Sequence, residues 1–318
     1  MVSFGVLSSI ALSSAYFFDH AYAHKVVNST PISSRDTVYS NAKRSLTRCE
    51  EKLLHPDAMK RRQEKRDRFI NGHKKKKRAR DTGYPPLISK RADNSSSLFE
   101  DVSCILSPEV TIGPYYVEGE YVRDDITEDQ DGVDLLLDVQ LIDVNTCEPV
   151  PQSYIDVWHC NSTGVYSGVS EEDTLGSTFL RGIWPTDDDG IMQMKTKFPG
   201  WYVSRATHIH ITAHQNATVL SNNTISGGDV NHIGQIFFNQ TLLDEVALLE
   251  PYVSNQQSKT SNTEDSIYQE ENSNGYDAIM NIEYLGSEIS AGLLGYITIG
   301  VNTTANYDDE VIAAATFS

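Results

Sequence analysis

The sequence predicts an all-β fold, an antiparallel β-sandwich with long loops, and three observations carry that prediction. Short apolar segments recur along residues 132–301, several alternate apolar with polar side chains, and Gly, Asp, Asn and Pro punctuate them. Helical periodicity is weak by comparison, the best helical stretch being residues 241–249.

In chain order, residues 133–144 form a candidate strand closed by the turn Asn145-Thr146-Cys147-Glu148-Pro149. Residues 154–159 alternate, Ile155 and Val157 against Asp156 and Trp158, so one face is apolar. The run Thr186-Asp187-Asp188-Asp189-Gly190 is a turn, and a strand follows over 191–198. Residues 206–213 alternate again, with a partner strand expected at 233–238 and another at 294–301. Residues 254–275 are rich in Ser, Asn, Gln and Glu and read as a long surface insertion.

At 318 residues and 39% hydrophobic, the chain can bury a full core. Its net charge of -18 is unevenly spread: residues 1–91 carry 20 of the 26 basic side chains and 8 of the 44 acidic ones. The remainder is strongly acidic and would repel phosphate backbones, which excludes nucleic acid as a partner.

The apolar stretch 4–18 followed by Ala21-Tyr22-Ala23 reads as a signal peptide over 1–23. Sequons at Asn28, Asn94, Asn161, Asn216, Asn222, Asn239 and Asn302 add to the expectation of a secreted, extracellular glycoprotein, with Asn161, Asn216, Asn222, Asn239 and Asn302 as the candidates in the body. No second apolar run is long enough to span a bilayer, so no membrane association is expected once the signal is removed. Residues 24–98 are expected to be a flexible basic leader or propeptide, with Lys90-Arg91 the last dibasic pair before a catalytic body over 99–318. Secretion would place Cys49, Cys104, Cys147 and Cys160 in an oxidising compartment, where three pairings of all four are possible.

The most specific chemical signal is Arg205-Ala206-Thr207-His208-Ile209-His210. Alternate residues of a strand share a face, so His208 and His210 project together within reach of one metal ion. His214 lies two strand repeats further along and reads as a surface residue. Tyr202 stands six residues before His208 in Pro199-Gly200-Trp201-Tyr202, and Tyr166 stands in Gly164-Val165-Tyr166-Ser167. A neutral phenol, with pKa near 10, is a poor ligand. A hard trivalent cation stabilises phenolate, so two phenolates with two imidazoles favour Fe(III) over softer divalent ions.

These motifs, together with Gly113-Pro114-Tyr115-Tyr116, Asp156-Val157-Trp158-His159, residues 186–190 and His232-Ile233-Gly234-Gln235, resemble in content and order the intradiol ring-cleavage dioxygenases over roughly residues 104–240. The resemblance implies a β-sandwich holding one non-haem ferric ion per chain. It implies an oxidoreductase that opens catechol-type rings between the two hydroxylated carbons with O2, giving muconate-type diacids. Carried over by motif, Tyr166, Tyr202, His208 and His210 match the metal ligands. Tyr202, Arg205 and Gln235 match the catalytic groups, Tyr202 as the phenolate released when substrate arrives and Arg205 as the cation beside the substrate. The short interval from Tyr202 to His208 and the absence of a helical dimerisation segment are similar to the secreted, fungal-type branch. They imply a pocket open to substituted catechols or benzenetriols.

Two other readings stand beside this one. A copper enzyme would use the His pair with His159 or His232 as third imidazole. A secreted module without catalysis would bind aromatic polymers or carbohydrate by stacking on Trp158, Trp184 and Trp201.

Overall fold

The computed structural model describes residues 49, 51–82, 104–105, 110–273 and 277–317. A 27-residue helix, α1 (Pro56–Thr82), comes first. The strands follow as β1 (Cys104–Ile105), β2 (Val117–Glu118), β3 (Asp134–Asp143), β4 (Tyr154–Trp158), β5 (Arg181–Pro185), β6 (Ile191–Lys197), β7 (His208–Gln215), β8 (Thr218–Val219), β9 (Ile225–Ser226) and β10 (Asp229–Phe237). Two short helices, α2 (Gln240–Val246) and α3 (Ser266–Glu271), precede β11 (Asn281–Tyr284), β12 (Leu293–Val301) and β13 (Ala315–Thr316). The signal peptide, the pair Lys90-Arg91 and the sequons at Asn28 and Asn94 lie outside the described residues.

Two sheets face each other. One has the order β1-β12-β3-β6 with β11 added to β12, and the other has the order β10-β7-β4-β5. Their inner faces meet in one apolar core: Leu135, Leu137, Val139 and Leu141 of β3 and Ile297 and Ile299 of β12 pack against Ile155 and Val157 of β4 and Ile209 and Ile211 of β7. The strands expected at 133–144, 154–159, 191–198, 206–213, 233–238 and 294–301 are present, because each has a side that must leave water.

The first sheet is mixed rather than antiparallel. Strand β12 runs parallel to β3 over nine residue pairs, from Leu293 beside Leu135 to Val301 beside Asp143. The crossover between them is the whole intervening chain, and the alternation of either strand carries no information about direction.

Part of the basic segment differs from the flexible leader expected. Pro56–Thr82 is helix, and it lies across the outer face of β3 and β12. Ile70, buried, and Phe69, half-buried, pack on Leu136, Leu285 and Leu294; full burial of a side chain like Ile70 is worth about 1.5–3 kcal/mol. Most of the contact is ionic. Arg66 bonds Asp138 at 2.9 Å and lies over the Tyr296 ring, Lys65 pairs with Asp187 and Asp189, and Arg62 donates to Gln140 at 2.9 Å. A disulfide joins Cys49 to Cys147, fixing the start of this segment to the body. Cys160 is a buried free thiol. Because α1 covers it, β3 is buried along nearly its whole length on both faces.

Residues 254–273 are the second departure. They are polar in composition yet wrap inward: Asn255, Asn262, Asp265 and Glu271 are all buried. Each side chain bonds backbone of the sandwich or of this segment, which is what makes burial of such groups tolerable.

Among the body sequons, Asn216, Asn222 and Asn239 are exposed, with Asn239 capping α2. Asn161 is part-buried and its Nδ2 donates to Gln130 at 3.1 Å, while its Oδ1 accepts from Thr163 and Val165. Asn302 is part-buried, its Oδ1 accepting from Thr304 and from Asn145.

Candidate metal centre and active site

The outer face of the second sheet holds the site. In β7 the inward residues Ile209 and Ile211 join the core, so His208 and His210 project outward. In β4 the same alternation sends Trp158 outward beside His210, its register partner, and the two rings stack at 4.9 Å. In β10, Gln235 pairs with His210 and is aimed at the same face.

The two phenols arrive on loops. Tyr166 follows the turn at Gly164, whose φ of +87° suits glycine and whose missing side chain admits the neighbouring loop: an added Cβ would sit 2.2 Å from the Trp201 carbonyl oxygen. That close approach brings Tyr202 beside Tyr166, with ring centroids 5.6 Å apart. Gly113, at φ +80°, lets its loop pass the His210 ring, where a Cβ would meet Cε1 at 3.0 Å.

The outcome is a cluster of four donor atoms. His208 Nε2 is 3.0 Å from His210 Nε2, 3.3 Å from Tyr202 Oη and 3.4 Å from Tyr166 Oη. Donors spaced this way suit one small cation held at about 2 Å by each. The tautomer of His208 agrees: its Nδ1 lies 2.6 Å from the Ala206 carbonyl oxygen and donates to it, which turns a bare Nε2 lone pair toward the other three donors. Among the described residues no three His, Cys, Asp or Glu side chains gather as a metal-binding group, so the phenols are needed to complete the set.

Burial drives the electrostatics. It pushes the Tyr166 phenol well above its ordinary value, and it raises Tyr202 too, against the opposing pull of Arg205. Burial, with Arg205 and His210 adding to it, holds His208 well below the ordinary imidazole range. Two imidazoles and two phenols that ionise only beside a compensating cation form a donor set suited to a hard, highly charged metal ion.

Arg205 is buried at the rim of the cluster. Its Nη1 is 3.5 Å from Tyr202 Oη, its Nη2 donates to Gln235 Oε1 at 2.5 Å, and its Nε donates to Asp265 at 2.9 Å. The Gln235 backbone N–H in turn donates to Glu271 Oε1 at 2.7 Å. Tyr115, half-buried, stacks on Tyr166 at 4.5 Å, and burial pushes its phenol up to about 12. All six residues singled out in the sequence, Tyr166, Tyr202, Arg205, His208, His210 and Gln235, are therefore brought together. Asp265 and Glu271 were not singled out, and a buried acidic side chain in a polar loop leaves no local pattern to find.

The other histidines go elsewhere. His159 bonds the Cys160 carbonyl oxygen and Thr196 Oγ1 through its two ring nitrogens, and burial lowers it to about 4. The His232 ring lies against Gly234, whose register partner Ile211 faces the core, so it points away from His208 and His210. His214 is buried rather than at the surface, bonded to Thr212 Oγ1 at 2.9 Å. It is on the site's face of β7, where Thr212 lies between it and His210. The tryptophans offer no exposed platform: Trp158 and Trp201 are buried and Trp184 packs on the core.

A sandwich carrying two Tyr and two His side chains on the outer face of one sheet defines a class of site, four donors arranged so that they could hold one metal ion. Comparison with known proteins gives the family. The dioxygenase family described as Dioxygenase_C matches residues 111–266. The solved intradiol ring-cleavage dioxygenase from Tetranychus urticae is 31% identical, covers 64% of this chain and 98% of its own, and superposes with a TM-score of 0.55. A second solved dioxygenase is 30% identical, with coverage of 67% and 98% and a TM-score of 0.56. A catechol 1,2-dioxygenase of Pseudomonas sp. (strain EST1001) is 31% identical over 101 residues, 30% of this chain and 32% of that protein. The chain thus spans about a third of the length of that catechol 1,2-dioxygenase. This chain belongs to the intradiol ring-cleavage dioxygenase family.

Proposed function

We propose that this protein is a secreted, ferric-iron-dependent intradiol dioxygenase that opens catechol-type rings between the two hydroxylated carbons, placing both atoms of O2 in a muconate-type diacid. The observation that carries the reading is the convergence of Tyr166, Tyr202 and His210 on His208 Nε2 within 3.4 Å. These four side chains would hold the iron. Bound ferric ion would supply a Lewis acid that binds deprotonated catechol and opens it to reaction with O2.

The protein's own groups would do the rest. Tyr202, nearer the rim than the fully buried Tyr166, is placed to take a catechol proton on Oη when substrate displaces it. Arg205 Nη1, on the same side and itself buried, would then face the anionic ring and stabilise charge that develops on it. Gln235 fixes the far edge of the guanidinium and so its plane. Tyr166 and His210, wholly buried, would stay in place throughout. The interval of six residues between Tyr202 and His208 supports a substrate range that extends to substituted catechols and benzenetriols. The terminal apolar stretch and the exposed sequons support secretion.

The test is secretion of the full chain from a eukaryotic host, followed by metal analysis, a visible spectrum and oxygen uptake with a graded series of ring-substituted catechols. One iron per chain, a broad visible phenolate-to-iron band that loses intensity in Tyr166→Phe, and oxygen uptake are expected. Copper in place of iron, or iron without oxygen uptake on any catechol, overturns the reading. Turnover of bare catechol alone overturns the open-pocket part.

A further inference from the structure

Residues 254–273 touch the site from behind through polar side chains. Gln257 ties together the two loops that carry the phenols: its Nε2 donates to the Thr163 carbonyl oxygen at 3.1 Å, and its Oε1 accepts from the Val203 N–H at 3.2 Å. Asn255 Nδ2 donates to the Trp201 carbonyl oxygen at 2.8 Å. Glu271 accepts from the backbone N–H of Gln235. Asp265 alone among them bonds a charged side chain of the site.

Asp265 is 1% exposed and uses both carboxylate oxygens twice. Oδ1 accepts from the N–H groups of Ile267 at 2.8 Å and Tyr268 at 3.2 Å, which starts α3. Oδ2 accepts from the Ala206 N–H at 2.7 Å and from Arg205 Nε at 2.9 Å. A carboxylate has four lone-pair sites, and here all four are used. Only that group can accept on both sides. In an asparagine one side becomes NH2, which would meet two N–H donors head-on, whichever way the amide is turned.

We propose that Asp265 is a positioning residue for Arg205, and this rests on the reading of the site as an intradiol dioxygenase. A free arginine side chain has many rotamers to lose when it is held in one position. Asp265 removes that freedom in advance by pinning Nε, which leaves Nη2 to Gln235 and directs Nη1 at Tyr202 Oη. The second bond, to Ala206 N–H, fixes the backbone on which Arg205 stands. That same Ala206 offers its carbonyl to His208 Nδ1, so one short stretch of chain sets the cation and the imidazole relative to each other. A guanidinium displaced by about 1 Å from a developing charge costs on the order of a hundredfold in rate.

The test compares the iron-loaded full chain with Asp265→Asn, and with Asn262→Ala as a control. Asn262 Nδ2 donates to the Phe238 carbonyl oxygen at 2.8 Å and anchors the same segment without touching Arg205. The expected result is that D265N retains iron and the visible band, and loses ten- to a hundredfold in kcat with little change in KM. N262A, though less stable, should keep kcat near wild type. In an Arg205→Ala background D265N should cost far less in kcat than it does in wild type, because only its hold on the Ala206 backbone then remains. Full additivity in that cycle, or equal kcat loss in N262A and D265N at matched stability, overturns the proposal. Exchange of the Arg205 Nε–H, followed in labelled wild-type protein without substrate, must be much slower than in free arginine. Exchange at the free rate overturns the proposal even if D265N does not fold or the wild-type protein proves inactive. Inactivity with a protected Nε–H would strike the function reading alone.

Discussion

Trp158 lies nearly parallel to His210, the two ring planes 8° apart and their centroids separated by 4.9 Å. The residues are register partners on β4 and β7, and Trp158 is fully buried, with Tyr116 packing on it from the side at 5.2 Å. Trp158 therefore walls one side of the His210 ring and limits its rotation about χ2.

Trp158→Ala should cost about 3–5 kcal/mol in stability by opening a cavity, and should also let His210 turn. Loss of a group that orients a ligand commonly weakens metal binding by about ten- to a hundredfold. Trp158→Phe keeps a flat face and should keep most of the affinity. Urea unfolding of the metal-free protein gives the first quantity, and competition with a coloured chelator gives the second. Iron binding by W158A as tight as wild type would show that the wall is packing alone.

The Cys49–Cys147 disulfide closes a loop of sequence separation 98. In the chain-entropy picture its loss costs about 2–5 kcal/mol, and Cys147→Ser should show this as a lower urea midpoint. It also bears on the expected cleavage at Lys90-Arg91, which lies between the two tethered parts. A cut there should leave the basic helix attached, giving one band on a non-reducing gel and two on a reducing one. Release of the helix without reductant would contradict this.

How far the sequence discloses the molecule depends on what each feature writes locally. His208 and His210 are two apart on a strand, so period-2 geometry alone puts them on one face, and Trp158 with Ile155 and Val157 works the same way. Tyr166 and Tyr202 needed the order of several motifs, since a single tyrosine is more often packing. Strand β5 was not read, because Gly182 and Pro185 break its pattern; yet Gly182 is required, as a Cβ there would meet Ile126 at 2.7 Å. For α1, the stripe that docks it is mostly charge: Arg62, Lys65, Arg66, His73 and Lys77 face Gln140, Asp187, Asp189, Asp138 and Asp134. An apolar-periodicity test cannot see that, since the acidic partners lie far along the chain, from 57 residues for Lys77 and Asp134 to more than 120 for Lys65 with Asp187 and Asp189. Asp265 fails for the same reason, its partners Arg205 and Ala206 being 60 and 59 residues away.

The charge-based docking of α1 makes stability sensitive to acid. Asp134, at the start of β3, accepts from Lys197 of β6 at 2.9 Å and pairs with Lys77 and His73 of α1 at 3.3 and 3.4 Å. Burial by itself would raise this carboxyl, but His73, Lys197 and Lys77 outweigh it and hold it well below the usual carboxylate range. A depressed native pKa means that the unfolded chain takes up this proton first as pH falls. The stabilisation is therefore complete above the unfolded value of about 4 and declines as pH drops below it. Asp134→Asn removes the term. Its Tm deficit against wild type should be full at pH 7, still full at pH 5.5, and shrink steadily between pH 4 and pH 2.5. Thermal melts of the two proteins across that range decide it; a deficit that stays constant down to pH 2.5 would mean that Asp134 contributes by shape and neutral hydrogen bonding rather than by its charge.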